Sequence, residues 1–328
     1  MLIDLHPEPA DMERLVIEGM ERSPRQLPAW LLYDAEGSRL FEAICEQPEY
    51  SLTRTETSLL EHQACSIANA LGREYTGDWV VVEFGAGNAR KVGPLLSALE
   101  PSAYAALDIS ADHLEPACRS LQERHQEVPV LGICCDYSHM RRLPPHPLLE
   151  GRRLGFYPGS SLGNFEPDAA RRLLGQFAQL LGPGSLLLVG MDQPKQIERL
   201  EAAYNDAAGF SAAFALNLLR RVNRDLGGNF QAAAFRYRAW WEADHSRIAM
   251  ALISRRAQQV AVAGRTWSFA VDEALITEYS YKYTAQAFIA LAAGAGWRAT
   301  DRWHDPSEDL SLHLLVQADS TTEAGKAP

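Results

Sequence analysis

No apolar stretch in this chain approaches the roughly 20 residues that a bilayer-spanning helix needs, so no membrane role is expected. The segment MLIDLHPEPADMERL places acids where a secretion signal carries bases, and a cytoplasmic protein is expected. Runs of lysine or arginine are also missing. With 31 basic against 42 acidic residues and a net charge of −11, the chain offers no basic face to a nucleic-acid backbone. Cysteine is sparse and unpatterned: Cys45, Cys65, Cys118, Cys134 and Cys135 are odd in number and lack CxxC spacing. Reduced thiols are expected, with Cys134-Cys135 ending a buried strand. No cluster has metal-ligand spacing, and His139 and His146 lie in a Pro-rich loop that reads as surface, so no metal is expected.

Two further absences narrow the ligand. VVEFGAGNARK (Glu83, Gly85, Gly87), YAALDIS (Asp108) and ICCDYS (Asp136) set three acidic strand ends around a short glycine turn. A strand ending at Phe84 and a helix starting near Arg90 would enclose Gly85-Ala86-Gly87-Asn88, where missing Cβ atoms let a ligand approach the backbone. The third glycine of a dinucleotide fingerprint is absent, and so is the GK[ST] of a phosphate loop; Ala89-Arg90-Lys91 stands instead. Asp108 lies 23 residues beyond Gly85, near the roughly 20-residue offset at which a carboxylate meets ribose hydroxyls. What fits is a cofactor with a ribose and a base but no phosphate, of which S-adenosylmethionine is the commonest. Asp136, beside Tyr137, is placed to accept from an adenine amino group. The bland alternative is a strand–turn–helix with solvated carboxylates at its rim.

With 328 residues, 47% of them hydrophobic, the chain is long enough for more than one core. Apolar β-rich runs at 79–84, 103–108, 129–135, 153–158 and 185–191 alternate with helical patterns at about 91–100, 111–125 and 167–182. That alternation predicts an α/β fold with parallel strands and crossover helices. After GMDQPK the pattern changes to helices over 195–222 and then antiparallel-looking strands, AAFRYRAWW, RIAMALISRR and QQVAVAGRTWSF. The helix AQAFIALAAGAG and the strands WRATDRWHD and LSLHLLVQ, joined by PSED, return to the first pattern. The expectation is a Rossmann-like, mostly parallel seven-stranded sheet (55–194 and 285–320) that closes on an antiparallel hairpin. An inserted α+β domain (195–284) would pack with 8–54, and 321–328 would form a flexible tail.

Five separated motifs carry a resemblance: YDAEGSRLFEAICEQPEYSLTRTE (33–56), EFGAGNARK (83–91), PGSSLGNFEP (158–167), AYND (203–206) and TEYSYK (277–282). Together they resemble the L-histidine Nα-methyltransferases of ergothioneine biosynthesis, in matching order from about Leu27 to Val316. The resemblance implies a class I S-adenosylmethionine-dependent fold and three successive methyl transfers to the α-amine of histidine, giving hercynine. It implies Gly85, Gly87, Lys91, Asp108, Asp136 and Tyr137 as cofactor residues, with Lys91, one turn into the helix, meeting the methionine carboxylate.

For the substrate, the resemblance implies Tyr50, Asn164, Tyr204, Met250, Glu278 and Ser280. Asn164 and Tyr204 are donors suited to the carboxylate, and Tyr50 closes the same end. Glu278 and Ser280 suit the two imidazole nitrogens, and if TEYSYK is a strand both side chains share one face. Met250 supplies an apolar wall. Tyr33, in YDAEGS, is the candidate to hydrogen-bond and orient the amine. The products would be methylated histidine and S-adenosylhomocysteine, and a monomer is expected. Ser51, where relatives often carry an aromatic, and Pro194, in the linker, depart from the pattern. Methylation of tryptophan, arginine or another amine is the nearest alternative, and a non-catalytic binding protein is a more distant one.

Overall fold

Strands covered on both faces read as unbroken apolar runs, and WVVVEF, AYAALD and LLLVGMD are such runs. The computed structural model describes residues 1–5 and 11–318. Its strands are β1 (Leu2–Asp4), β2 (Arg25–Gln26), β3 (Trp79–Phe84), β4 (Ala103–Asp108), β5 (Val130–Cys134), β6 (Arg152–Tyr157) and β7 (Leu186–Asp192). They continue as β8 (Phe235–Glu242), β9 (Arg247–Ser254), β10 (Gln258–Val262), β11 (Arg265–Phe269), β12 (Ala274–Tyr281), β13 (Trp297–His304) and β14 (Leu310–Gln317). The helices are α1 (Met12–Glu21), α2 (Ala35–Cys45), α3 (Leu52–Glu74), α4 (Gly93–Leu99), α5 (Ala111–Arg124), α6 (Pro167–Leu181), α7 (Ile197–Tyr204), α8 (Phe210–Leu226) and α9 (Ala285–Ala293).

The main sheet runs β1-β5-β4-β3-β6-β7-β14-β13, parallel except where β14 pairs antiparallel with β7 and with β13. It has eight strands rather than the expected seven. The eighth is β1, whose Leu2–Asp4 pairs in parallel with Gly132–Cys134. Three residues are too few for sequence periodicity to register as a strand. The chain leaves β3 to one side for β4 and to the other for β6, so a switch point lies at the carboxyl ends of β3 and β6, where ligands of such sheets bind.

A second sheet, β2-β12-β9-β8, gathers strands that the main sheet does not use. QQVAVAGRTWSF is a hairpin, β10 with β11, turning at Ala263 (φ 51°) and Gly264 (φ 67°). Residues from 25 to 45 pack with this lobe: β2 pairs with β12, Asn217 on α8 donates to Asp34, and Arg221 donates to the Trp30 and Leu31 carbonyls. The 321–328 tail and the start of the 8–54 segment lie outside the described residues. Among those described, no helix is long and apolar enough to cross a membrane. Cys134 and Cys135 are buried at the end of β5.

Candidate functional site

Gly85 (φ 69°) and Gly87 (φ 53°) turn the chain sharply off β3 in a backbone region that favours glycine. The turn is pinned to its neighbour strand. Gly85 and Ala86 N–H both donate to the Leu107 carbonyl at 2.8 and 3.0 Å, and Gly87 N–H donates to Asp108 Oδ2 at 2.9 Å. The other Asp108 oxygen accepts from Ser110 N–H at 3.1 Å. A Cβ on Gly85 would stand 3.3 Å from the Tyr137 hydroxyl, so that ring lies over the turn, edge-on to Phe84 at 5.6 Å. Asp136 accepts from Ser138 N–H, Ser138 Oγ–H and His139 Nδ1 at 3.0, 2.5 and 2.8 Å. Burial raises the pKa of that carboxyl, but Ser138 and His139 outweigh it and hold it below the usual range, so Asp136 is an ionised acceptor.

Two expectations at this rim need correction. Glu83 does not join Asp108 and Asp136 there. It is buried within β3 and accepts from the Tyr104 hydroxyl at 2.5 Å, and burial pushes its carboxyl up to about 8. Strand alternation points it into the core side, one residue before the chain leaves the sheet. Nor does a helix begin near Arg90: Ala89 takes φ 50° and α4 starts at Gly93, so Lys91 sits in the turn before the helix. There its ammonium meets Glu56 at 2.7 Å. Glu56, on α3, is fully buried and also takes the Gly159 N–H on both oxygens at 2.8 Å. Gly190 on β7 makes room for it, since a Cβ there would lie 1.9 Å from Glu56 Oε1.

The second part of the site lies on β12, against the loop after β6. On β12, Glu278 and Ser280 lie two apart on one face, and Lys282 continues the alternation just beyond the strand. Glu278 pairs in register with Met250 on β9, so the two side chains stand together, and Met250 clusters with Leu200, Ala239 and Ile248. The loop after β6 comes close to this strand at Gly163, where a Cβ would be 2.5 Å from the Tyr281 carbonyl. That approach brings Asn164 Nδ2 to 3.0 Å from Glu278 Oε1. Tyr204, ending α7, places its hydroxyl 2.9 Å from Ser280 Oγ. Asn164 and Tyr204 therefore each hydrogen-bond one of the two β12 side chains instead of forming a separate pair.

Electrostatics divides these groups. Burial pushes Glu278 up to about 8, opposed by Lys282. Burial also raises Asp192, but Lys282 and Lys195, each 2.7 Å away, overcome it and keep the carboxyl ionised. Tyr50 is buried, with its ring edge-on to Tyr204 at 5.9 Å. Tyr33 packs edge-on between Phe41 and Phe214 at 5.7 and 5.3 Å. It keeps 38% of its surface exposed, yet surrounding protein and then Glu278 raise its pKa well above the ordinary phenol value. Among the described residues the Tyr33 and Tyr50 hydroxyls have no hydrogen-bond partner, although both rings are fixed. A cavity of about 230 Å³ bordered by Tyr50, Asp192, Lys195 and Tyr204 adjoins this cluster without reaching Asn164 or Glu278.

A family model described as histidine-specific, SAM-dependent methyltransferase matches residues 12–317. The chain belongs to that family. Histidine N-alpha-methyltransferase of Mycolicibacterium smegmatis is 36% identical to it over 93% of this chain and 95% of the relative. The Mycobacterium tuberculosis protein of the same name is 33% identical over the same shares. Ergothioneine biosynthesis protein 1 of Neurospora crassa is 28% identical over 90% of this chain and 33% of that longer protein. Among solved structures, a S-adenosylmethionine-dependent methyltransferase from Clostridium acetobutylicum covers 79% of this chain and 92% of its own, with 12% identity and a TM-score of 0.44. As a member of the family, the chain is an S-adenosylmethionine-dependent methyltransferase, and its own α/β sheet has an antiparallel end.

Three members of the site had no role in the motif strings that contain or adjoin them. Lys282 closes TEYSYK, two residues past Ser280 and hence on the same face, a signal that strand periodicity alone carries. Glu56 closes TRTE, and Asp192 sits in GMDQPK. Nothing local reveals that these acids are buried: Lys91 and Lys282 come from distant positions, and Lys195, three residues beyond Asp192, would pair with it equally well in solvent. Of the two departures from the family pattern, Ser51 precedes α3 without capping it, and Pro194 lies between β7 and α7.

Proposed function

We propose that this enzyme carries methyl groups from S-adenosylmethionine to the α-amine of L-histidine three times in succession, giving hercynine for ergothioneine synthesis. The observation that carries the proposal is the β12 face: Glu278 and Ser280, two apart, each bonded to a donor-bearing side chain from another element, in a chain whose parallel sheet also carries Asp108 and the glycine turn. In this reading Glu278 and Ser280 take the two ring nitrogens, and Met250 forms the apolar wall. Asn164, Tyr204 and Tyr50 take the carboxylate. Gly85, Gly87, Asp108, Asp136 and Tyr137 hold the cofactor's nucleoside, and Lys91, steered by Glu56, faces its methionine end.

The cofactor supplies an electrophilic sulfonium methyl. The protein's part is alignment, worth up to about 7–11 kcal/mol when two bound reactants meet in line. The attacking amine must be neutral. The amine of a free amino acid, beside its own carboxylate, is mostly protonated at pH 7, and a neighbouring sulfonium shifts that balance toward the neutral form. No strong base is required, and the Tyr33 hydroxyl accepts the orienting role. After the third transfer the nitrogen is quaternary, with neither lone pair nor proton, so the sequence ends there. The segments 8–54 and 195–284 act as the substrate lobe, and the enzyme works as a cytoplasmic monomer, a reading supported by all of the assigned residues belonging to one chain.

An indole would satisfy one acceptor and leave Ser280 without a nitrogen, which favours histidine over tryptophan. Incubation with S-adenosylmethionine and a panel of amino acids, read by mass spectrometry, tests the assignment. Histidine gaining three methyl groups is expected; methylation of another amine instead would refute it.

A further inference from the structure

Lys282 is buried to the last atom, and all three of its ammonium protons are committed. They go to Asp192 Oδ2 at 2.7 Å, Tyr204 Oη at 2.7 Å and Ser280 Oγ at 2.9 Å. The two hydroxyl oxygens also hydrogen-bond each other at 2.9 Å. A fully buried cation is costly unless each of its donors is used, and here each is.

Counting donors and lone pairs fixes what this cluster can present to a ligand. Each hydroxyl owns one proton and two acceptor sites. Lys282 occupies one acceptor site on each. The contact between the hydroxyls consumes one proton and one further acceptor site. What is left facing outward is one O–H and one lone pair, and they are never on the same residue. When Tyr204 donates outward, Ser280 can only accept; when Ser280 donates outward, Tyr204 can only accept.

We propose that Lys282 is a positioning residue that locks Ser280 and Tyr204 into opposite hydrogen-bonding senses, so that binding of the substrate's carboxylate at Tyr204 sets which proton state of the ring nitrogen Ser280 accepts. This rests on histidine as the substrate. A carboxylate only accepts, so it holds Tyr204 as donor and leaves Ser280 as acceptor. The nitrogen facing Ser280 must then carry a proton. Glu278 faces the other nitrogen from the same strand, with Asn164, Tyr33 and Tyr237 around it, and burial pushes its carboxyl up to about 8, so it can hold a proton to donate or release it to accept. Without Lys282 both hydroxyls regain an acceptor site and can rotate independently, and the two ends of the substrate are read separately.

The test is a ligand cycle on the whole enzyme saturated with S-adenosylhomocysteine. Dissociation constants are measured by competition for histidine, for histamine, which lacks the carboxylate, for β-(2-thienyl)alanine, which lacks the ring nitrogens, and for 2-thienylethylamine, which lacks both. In the wild type the carboxylate and the ring nitrogens should be non-additive by about fivefold or more, as for groups in one hydrogen-bond network. In Lys282→Met the product should become additive while S-adenosylhomocysteine affinity is unchanged, and Lys282→Arg should restore part of the coupling. Additive binding in the wild type overturns the proposal without any variant, and so does coupling that survives Lys282→Met. Wild-type enzyme that fails to bind histidine at all, while binding another amino acid, overturns the substrate assignment as well, an outcome distinct from additivity.

Discussion

The side-chain amide of Asn164 donates to Glu278 across 3.0 Å, tying the loop after β6 to strand β12 of the second sheet. The parallel sheet, which carries the glycine turn, and the lobe threaded into it thus touch at this pair, as they do at Lys282 and Asp192.

Removing the acceptor of that pair should be felt by histidine and not by the cofactor. Glu278→Ala leaves a buried ring nitrogen without its partner, a cost of about 1–3 kcal/mol, so kcat/KM for histidine is expected to fall about five- to 150-fold. S-adenosylhomocysteine affinity, read by calorimetry, should stay as it is. Unaltered histidine kinetics would exclude Glu278 from the ring site.

Tyr33→Phe keeps the ring packed between Phe41 and Phe214 and deletes only the hydroxyl. Slower turnover is expected, with mono- and dimethyl products accumulating in a time course followed by mass spectrometry. A product ratio identical to that of the wild type would show that Tyr33 does not orient the amine.

Close approach of the Asn164 loop depends on Gly163. A methyl group there would sit 2.5 Å from the Tyr281 carbonyl, a backbone atom that cannot rotate away. Gly163→Ala should therefore push the loop off β12, raising the KM for histidine more than that for S-adenosylmethionine. Equal KM values for both substrates, compared with the wild type, would contradict the close contact.

Glu83 gives a pH signature of stability. Burial lifts its carboxyl from an ordinary 4.5 to about 8, so the folded state holds a proton that the unfolded state releases. Its contribution is complete below the unfolded value and is lost as the pH climbs through the folded one. The urea midpoint should decline between these limits, with Glu278, shifted the same way, adding to the slope. Glu83→Gln keeps an acceptor for the Tyr104 hydroxyl and cannot ionise, so its profile should be flatter and its midpoint higher at alkaline pH. A slope matching the wild type would mean that Glu83 is charged in the fold.

Much of the site was legible because its signals are local. The 23-residue offset from Gly85 to Asp108 spans one turn, one helix and one strand, and the structure bonds Gly87 to that carboxylate. Strand alternation likewise put Glu278 and Ser280 on one face. Where the expectation failed, the deciding contact was remote in sequence or too short to leave a period. Glu83 looked like a rim acid until Tyr104 and the surrounding strands enclosed it. Strand β1 has three residues, and its pairing with β5 spans nearly 130 positions.

The sequence by itself determined the alternation of apolar runs, the turn that needs glycine, and the order of motifs, since each follows from backbone sterics or from a period of two or 3.6 residues. Only the tertiary structure decided which charged side chains would be buried and whom they would meet. Glu56 with Lys91, and Lys282 with Asp192, are joined across 35 and 90 residues. Burial and electrostatic pairing depend on distances in space, and a linear string carries no record of those until the chain has closed on itself.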